Sequence, residues 1–148
     1  MAGEKNLALI EDVTKKWVSG KYDEILPYVA DDAIYQIARG AIEKYSTLFG
    51  TFKGIGEIKT WYASNKQNAA AVNGIKPFCA PANFGTFFAA GDKVINLGSM
   101  PKTKAVAESD WVAIWTLDGG KIKHCWMVMD TAGTFLKLKH HNPKLMLE

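Results

Sequence analysis

The chain has 148 residues, 48% of them hydrophobic, which suits one domain (residues 1–148) with a full core and leaves too little for two domains of ordinary size. Its 18 Lys and Arg stand against 15 Asp and Glu, a formal charge of +3 with the basic residues scattered, so composition argues against a nucleic-acid partner. No apolar run is long enough for a membrane span, the N-terminus lacks the basic start and apolar run of a signal peptide, and Cys79 and Cys125 lie far apart with no metal or redox spacing. The expectation is a cytoplasmic protein without cofactor, metal or membrane contact.

Leu7, Ile10, Val13 and Trp17 recur at helical spacing, which predicts a first helix from about Glu4 to Val18 that stops at Ser19-Gly20. Asp23 suits the N-cap of a short second helix through Ile25, Leu26 and Tyr28, ended by Asp31-Asp32 before the strand "AIYQIA". A loop holding Gly50 and Gly54 leads into "GIGEIKTWYASNKQNAAA", where Ile55, Ile58, Trp61 and Tyr62 form the stripe of a third helix. After Asn73-Gly74 the pattern becomes that of strands: "IKPFCAP", "FGTFFAAG", "KVINLGSM", "AESDWVAIWTL" and "KIKHCWMVMD", separated by Gly-Asp, Pro-Lys and Asp-Gly-Gly turns. Helices followed by an antiparallel meander predict an α+β domain whose curved sheet wraps its helices.

Strict alternation along the last strand places Ile122, His124, Trp126, Val128 and Asp130 on one face and Lys123, Cys125, Met127 and Met129 on the other. Glu108 and Asp110 share a face of the preceding strand by the same rule. The pairing of a histidine and a carboxylate beside a tryptophan raises two alternatives. On a cavity wall they suit acid and base chemistry; on the solvent side they are ordinary surface groups, with Asp130 capping the turn into Thr131-Ala132-Gly133.

Two motifs, "YVADDAIY" at residues 28–35 and the hairpin "DGGKIKHCWMVMDTAGTF" at residues 118–135, give the chain a resemblance to the NTF2-like superfamily, in its SnoaL-like and ketosteroid-isomerase-like group. The resemblance covers roughly Glu4 to Leu138 as an ordering of elements. It implies a cone-shaped fold in which three N-terminal helices pack in the concave face of a curved mixed, mainly antiparallel sheet. It also implies a cavity for a small lipophilic molecule and a homodimer through the outer sheet face.

Carried over position by position, the polar groups of ketosteroid isomerases fall on Val13, Ile37 and Val112, and two of the three catalytic groups of limonene-epoxide-hydrolase-like members fall near Gly98 and Met100. Asp130 matches the third. The His-Trp-Asp of SnoaL-type cyclases reads Cys125-Trp126-Met127. If the register follows the family's, Asp130 faces the cavity as a base, His124 or Tyr35 donates a proton, and Asp110 is a second acid, with Trp17, Trp61, Phe88, Trp111 and Trp126 as apolar lining.

A carboxylate held in such a lining would be desolvated and its pKa raised toward neutrality, the condition for acid–base work without a cofactor. Isomerisation, dehydration or epoxide hydrolysis are the reactions within reach, and a non-catalytic ligand-binding or dimerisation module is the alternative. On this register Cys125, Met127 and Met129 are the apolar outer face that a second copy covers.

Overall fold

The computed structural model describes residues 2–40, 43, 49–71, 83–100 and 108–130. The expected strand "IKPFCAP", Cys79, the turn at Thr131-Ala132-Gly133 and the His140-His141 tail lie outside these residues.

Helix α1 (Ala2–Val18) buries Ile10, Val13, Thr14 and Trp17 on one stripe. It ends where Gly20 takes φ 71°, with the Gly20 amide donating to the Trp17 carbonyl and the Lys21 amide to that of Lys16. This is the glycine-terminated closure expected from Ser19-Gly20.

The predicted second helix is instead two 3-10 turns, Tyr22–Glu24 and Leu26–Tyr28, and Asp23 caps neither. Pro27 lacks the amide that a continuing helix needs. Strand β1 (Val29–Ile37) therefore starts before Asp31-Asp32, which sit inside it, exposed, at an irregularity of its pairing.

The loop expected at Gly50 holds a short strand β2 (Gly50–Lys53), paired antiparallel with β1. Helix α2 (Gly54–Ala71) follows with the predicted bounds, the Lys53 amide donating to the Glu57 carboxylate at 2.6 Å to close its first turn.

Four further strands, β3 (Asn83–Ala90), β4 (Lys93–Met100), β5 (Ser109–Asp118) and β6 (Lys121–Met129), complete a sheet of order β2-β1-β6-β5-β4-β3. Among the described strands only the β1–β6 pair is parallel. The β5–β6 turn has Gly119 at φ 55° and Gly120 at φ 75°, the doubly left-handed conformation that a two-residue hairpin requires.

Helix α1 crosses β3 and β4 while α2 crosses β1 and β2, so both lie in the concave face of a curved mixed sheet. The fold is the NTF2-like α+β cone.

Candidate functional site

The register of the sheet decides which side chains reach the interior. Leu117 pairs with Ile122 but Thr116 pairs with His124, so Lys123 is an extra residue in β6, a β-bulge. One inserted residue moves every following side chain to the opposite face. Ile122 and Cys125 are both fully buried although three positions apart, Met127 follows them inward, and Trp126 and Val128 emerge on the outer face, 45% and 49% exposed.

The face carrying His124, Trp126 and Asp130 is thus the convex one, the solvent side of the two alternatives and not the cavity wall that the family's register implies. Cys125 and Met127 are interior residues and do not belong to the outer face. His124 is half-buried, its Nε2 2.8 Å from the Gln36 Oε1, and desolvation with the nearby Lys93 charge holds its pKa below the usual histidine value. Asp130 is exposed at the strand's end.

On β5 the inward set is Ser109, Trp111, Ala113, Trp115 and Leu117, so Asp110 and Glu108 are exposed. Phe88 is 51% exposed on the outer side of β3. Of the sequence-predicted residues, the structure gathers Tyr35, Trp17, Trp61 and Trp111 inside and leaves Asp130, Asp110, His124, Phe88 and Trp126 outside.

Inside the cone, pairing lays the inward residues in rows across the sheet. Tyr35, Cys125, Trp115 and Val94 form one row; Ile37, Met127, Ala113, Asn96 and Phe87 form the next.

Over the first row the helices contribute Trp17, Trp61 and Tyr62, and the rings meet mostly edge to face. Trp17 has ring centroids 5.2 Å from Trp61, 5.7 Å from Tyr62 and 6.3 Å from Trp115. Tyr22 stacks on Tyr62 from the 3-10 turn. Within this cluster the Tyr35 and Tyr62 hydroxyls lie 3.1 Å apart, and complete burial pushes Tyr35 far above the ordinary tyrosine range, which keeps it protonated.

The interior contains polar atoms that the protein does not satisfy. Among the described residues, the Trp17 and Trp115 indole Nε1, the Asn65 and Asn96 Oδ1 and the Ser109 Oγ are buried with no hydrogen-bond partner. All five residues are more than nine-tenths buried. Their sequence signal was available: Asn65 continues the Ile58, Trp61, Tyr62 stripe of α2, and Asn96 is two positions from Val94 in β4. No carboxylate, imidazole or ammonium is buried among the described residues, and no group of three or more potential metal ligands occurs among them.

The outer face has its own character. Trp126, Ile114, Ile95 and Phe88 run across four strands, with Val128, Val112 and Leu97 beside them. Four of these, Trp126, Val128, Leu97 and Phe88, are more than 40% exposed. An open depression of about 490 Å³, lined by Arg39, Glu43, Trp126 and Val128 among others, continues this face past the end of β1.

Neither protein-family models nor curated proteins gave a match to the sequence. Solved structures share the fold. TerC co-crystallised with polyporic acid aligns at a TM-score of 0.71 with 22% identity, over 91% of this chain and 98% of its own. An NTF2-like protein of unknown function from Burkholderia pseudomallei K96243 aligns at 0.69 with 14% identity, over 90% and 97%. A de novo designed protein with a curved β-sheet aligns at 0.64 with 16% identity, over 97% and 99%. A fold shared by a ligand complex and a designed chain leaves function to be argued from the site.

Proposed function

We propose that the chain binds a small, neutral, lipophilic molecule in the interior of the cone. The observation that carries this is the set of unpartnered polar atoms among buried aromatic rings. A buried donor or acceptor left unsatisfied costs about 1–3 kcal/mol, so two indole N–H donors, two amide oxygen acceptors and the Ser109 hydroxyl call for something to meet them. An apolar site with a few converging polar groups is the usual composition of a small-molecule pocket. The interior's lack of buried charge among the described residues favours a neutral ligand, because an ion would enter without a counter-charge. That the similarly folded TerC was co-crystallised with polyporic acid supports a small-molecule ligand in such a fold, while the choice of a neutral one rests on this chain's own interior.

The test is a titration of the 15N-labelled protein with neutral aromatic carbonyl and hydroxyl compounds. Binders should shift the indole N–H resonances of Trp17 and Trp115 together. A series in which both indoles stay unmoved while other resonances respond would sink the reading.

A cofactor-independent isomerase or lyase is the second reading, favoured by the Tyr35–Tyr62 hydroxyl pair. A protonated tyrosine in an apolar site can donate to an oxyanion as charge develops. Tyr35 is then the one proposed catalytic residue that already faces the interior. Asp130 and His124 reach it only if β6 changes register, and Asp110 only if β5 does.

The exposed apolar outer face supports a homodimer built on Trp126, Val128, Leu97 and Phe88. A cytoplasmic location, where thiols stay reduced, is in keeping with the buried thiol of Cys125. No helix among the described residues is long and apolar enough to cross a membrane.

A further inference from the structure

We propose that Asn96 orients the ligand of the cone, and that it selects a neutral molecule bearing a hydroxyl or enol O–H over the corresponding ether. The proposal rests on the reading of the interior as a ligand site and assigns the group that reads the ligand's polarity.

The argument begins in β3. Phe84 pairs with Gly98, yet Phe87 pairs with Asn96, so the ladder is irregular at Gly85-Thr86. Gly85 lies so near β4 that a Cβ there would stand 2.7 Å from the Leu97 carbonyl oxygen, closer than real side chains approach backbone. Glycine is what permits the irregularity.

The Thr86 carbonyl consequently reaches the side chain of Asn96, whose Nδ2 donates to it at 3.4 Å and to the Leu97 carbonyl at 3.3 Å. Both partners are acceptors only. Turning the amide over would set its oxygen against two other oxygens, so the Nδ2 is committed to β3 and β4 and the Oδ1 must look elsewhere.

The Oδ1 is buried and unpartnered. In its row Asn96 lies between Phe87 of β3 and Ala113 of β5, and the next inward position of β4 is Gly98, so on the β5 side its neighbour is a single methyl group. An acceptor presented in this way is met by a donor. A hydroxyl fits; a methyl ether leaves the oxygen orphaned, and a phenolate or carboxylate sets one acceptor against another without a counter-charge.

The probes are 2-naphthol and 2-methoxynaphthalene, which differ in the donor and one methyl group. Each is titrated into the full chain while the indole resonances of Trp17 and Trp115 and the side-chain amide of Asn96 are followed. 2-Naphthol should bind about tenfold more tightly than the ether, the effect of one hydrogen bond in a buried site. The Asn96 amide should move with it.

In Asn96→Leu the preference should fall to about one. Gly85→Ala should reduce it by displacing Asn96 without removing it, which marks Gly85 as a positioning residue. Should Gly85→Ala fail to fold, the wild-type ratio and the Asn96 amide still decide the matter.

If both probes shift the two indoles with equal affinity, or the preference survives Asn96→Leu, the assignment to Asn96 is wrong although the cone binds ligands. If neither probe moves the indoles, the ligand reading fails and this proposal falls with it.

Discussion

The Tyr35–Tyr62 pair offers the sharpest energetic test of the interior. The two hydroxyls are 3.1 Å apart, on residues 0% and 2% exposed, and Tyr62 is the partner that Tyr35 has. Removing the hydroxyl in Tyr62→Phe leaves that of Tyr35 in an apolar site with nothing to accept or donate, a loss of roughly 1–3 kcal/mol. For a chain of this size each kcal/mol lowers the melting temperature by about 2–4 °C, so a mid-range loss of about 2 kcal/mol is a drop of about 4–8 °C. Tyr35→Phe should cost no more than this. The double variant removes both polar groups and keeps both rings, so its loss should fall short of the sum of the single losses by about 1 kcal/mol. Urea denaturation of the four proteins, with the slope of each transition compared, gives the coupling directly. Additive losses would mean that the hydroxyls do not interact and that the described aromatic packing is wrong at its centre.

The other expectations are simpler to state. Trp126→Lys puts a charge at the β6 end of the outer apolar face and should weaken self-association by about 100-fold, read as a shift from dimer to monomer in light scattering with an unchanged circular dichroism spectrum. A wild type that is already monomeric at high concentration would refute the dimer. The pKa of His124 is lower folded than its unfolded value of 6.5, so the unfolded chain takes up its proton first as pH falls. Its stabilising contribution is therefore present above about pH 6.5 and is lost through the folded pKa below it. In His124→Gln that part of the pH dependence of melting should vanish; an identical profile in both proteins would contradict the half-buried placement. Gly85→Ala forces a backbone contact at β4 and should cost about 1–3 kcal/mol in urea denaturation, whereas Gly56→Ala, with no neighbour near its Cβ, should be neutral or stabilising.

Local pattern carried a good deal of this protein. The α1 stripe of Ile10, Val13 and Trp17, the bounds of α2 and β4, the Asp-Gly-Gly hairpin and the α+β class can all be read from periods of 3.6 and 2 and from turn chemistry, because each depends on residues near one another in the chain. The second helix differs because Asp23 has the chemistry of a cap while Pro27 lacks the amide that a continuing helix needs.

The faces of the sheet were decided elsewhere. Alternation from Ile122 places His124, Trp126 and Asp130 inside, but the extra residue at Lys123 exists only in the pairing of β6 with β5, and that pairing turns the acid–base candidates outward and Cys125 and Met127 inward. Asn96 shows the same division. Its inward parity is written in the strand, whereas the committed amide and the free oxygen depend on an irregularity in β3, a different segment of chain. Sequence determines which residues share a face within an uninterrupted stretch of strand, and only tertiary pairing determines where that stretch breaks and which face looks inward, since a single unpaired residue exchanges the two without altering the local pattern on either side.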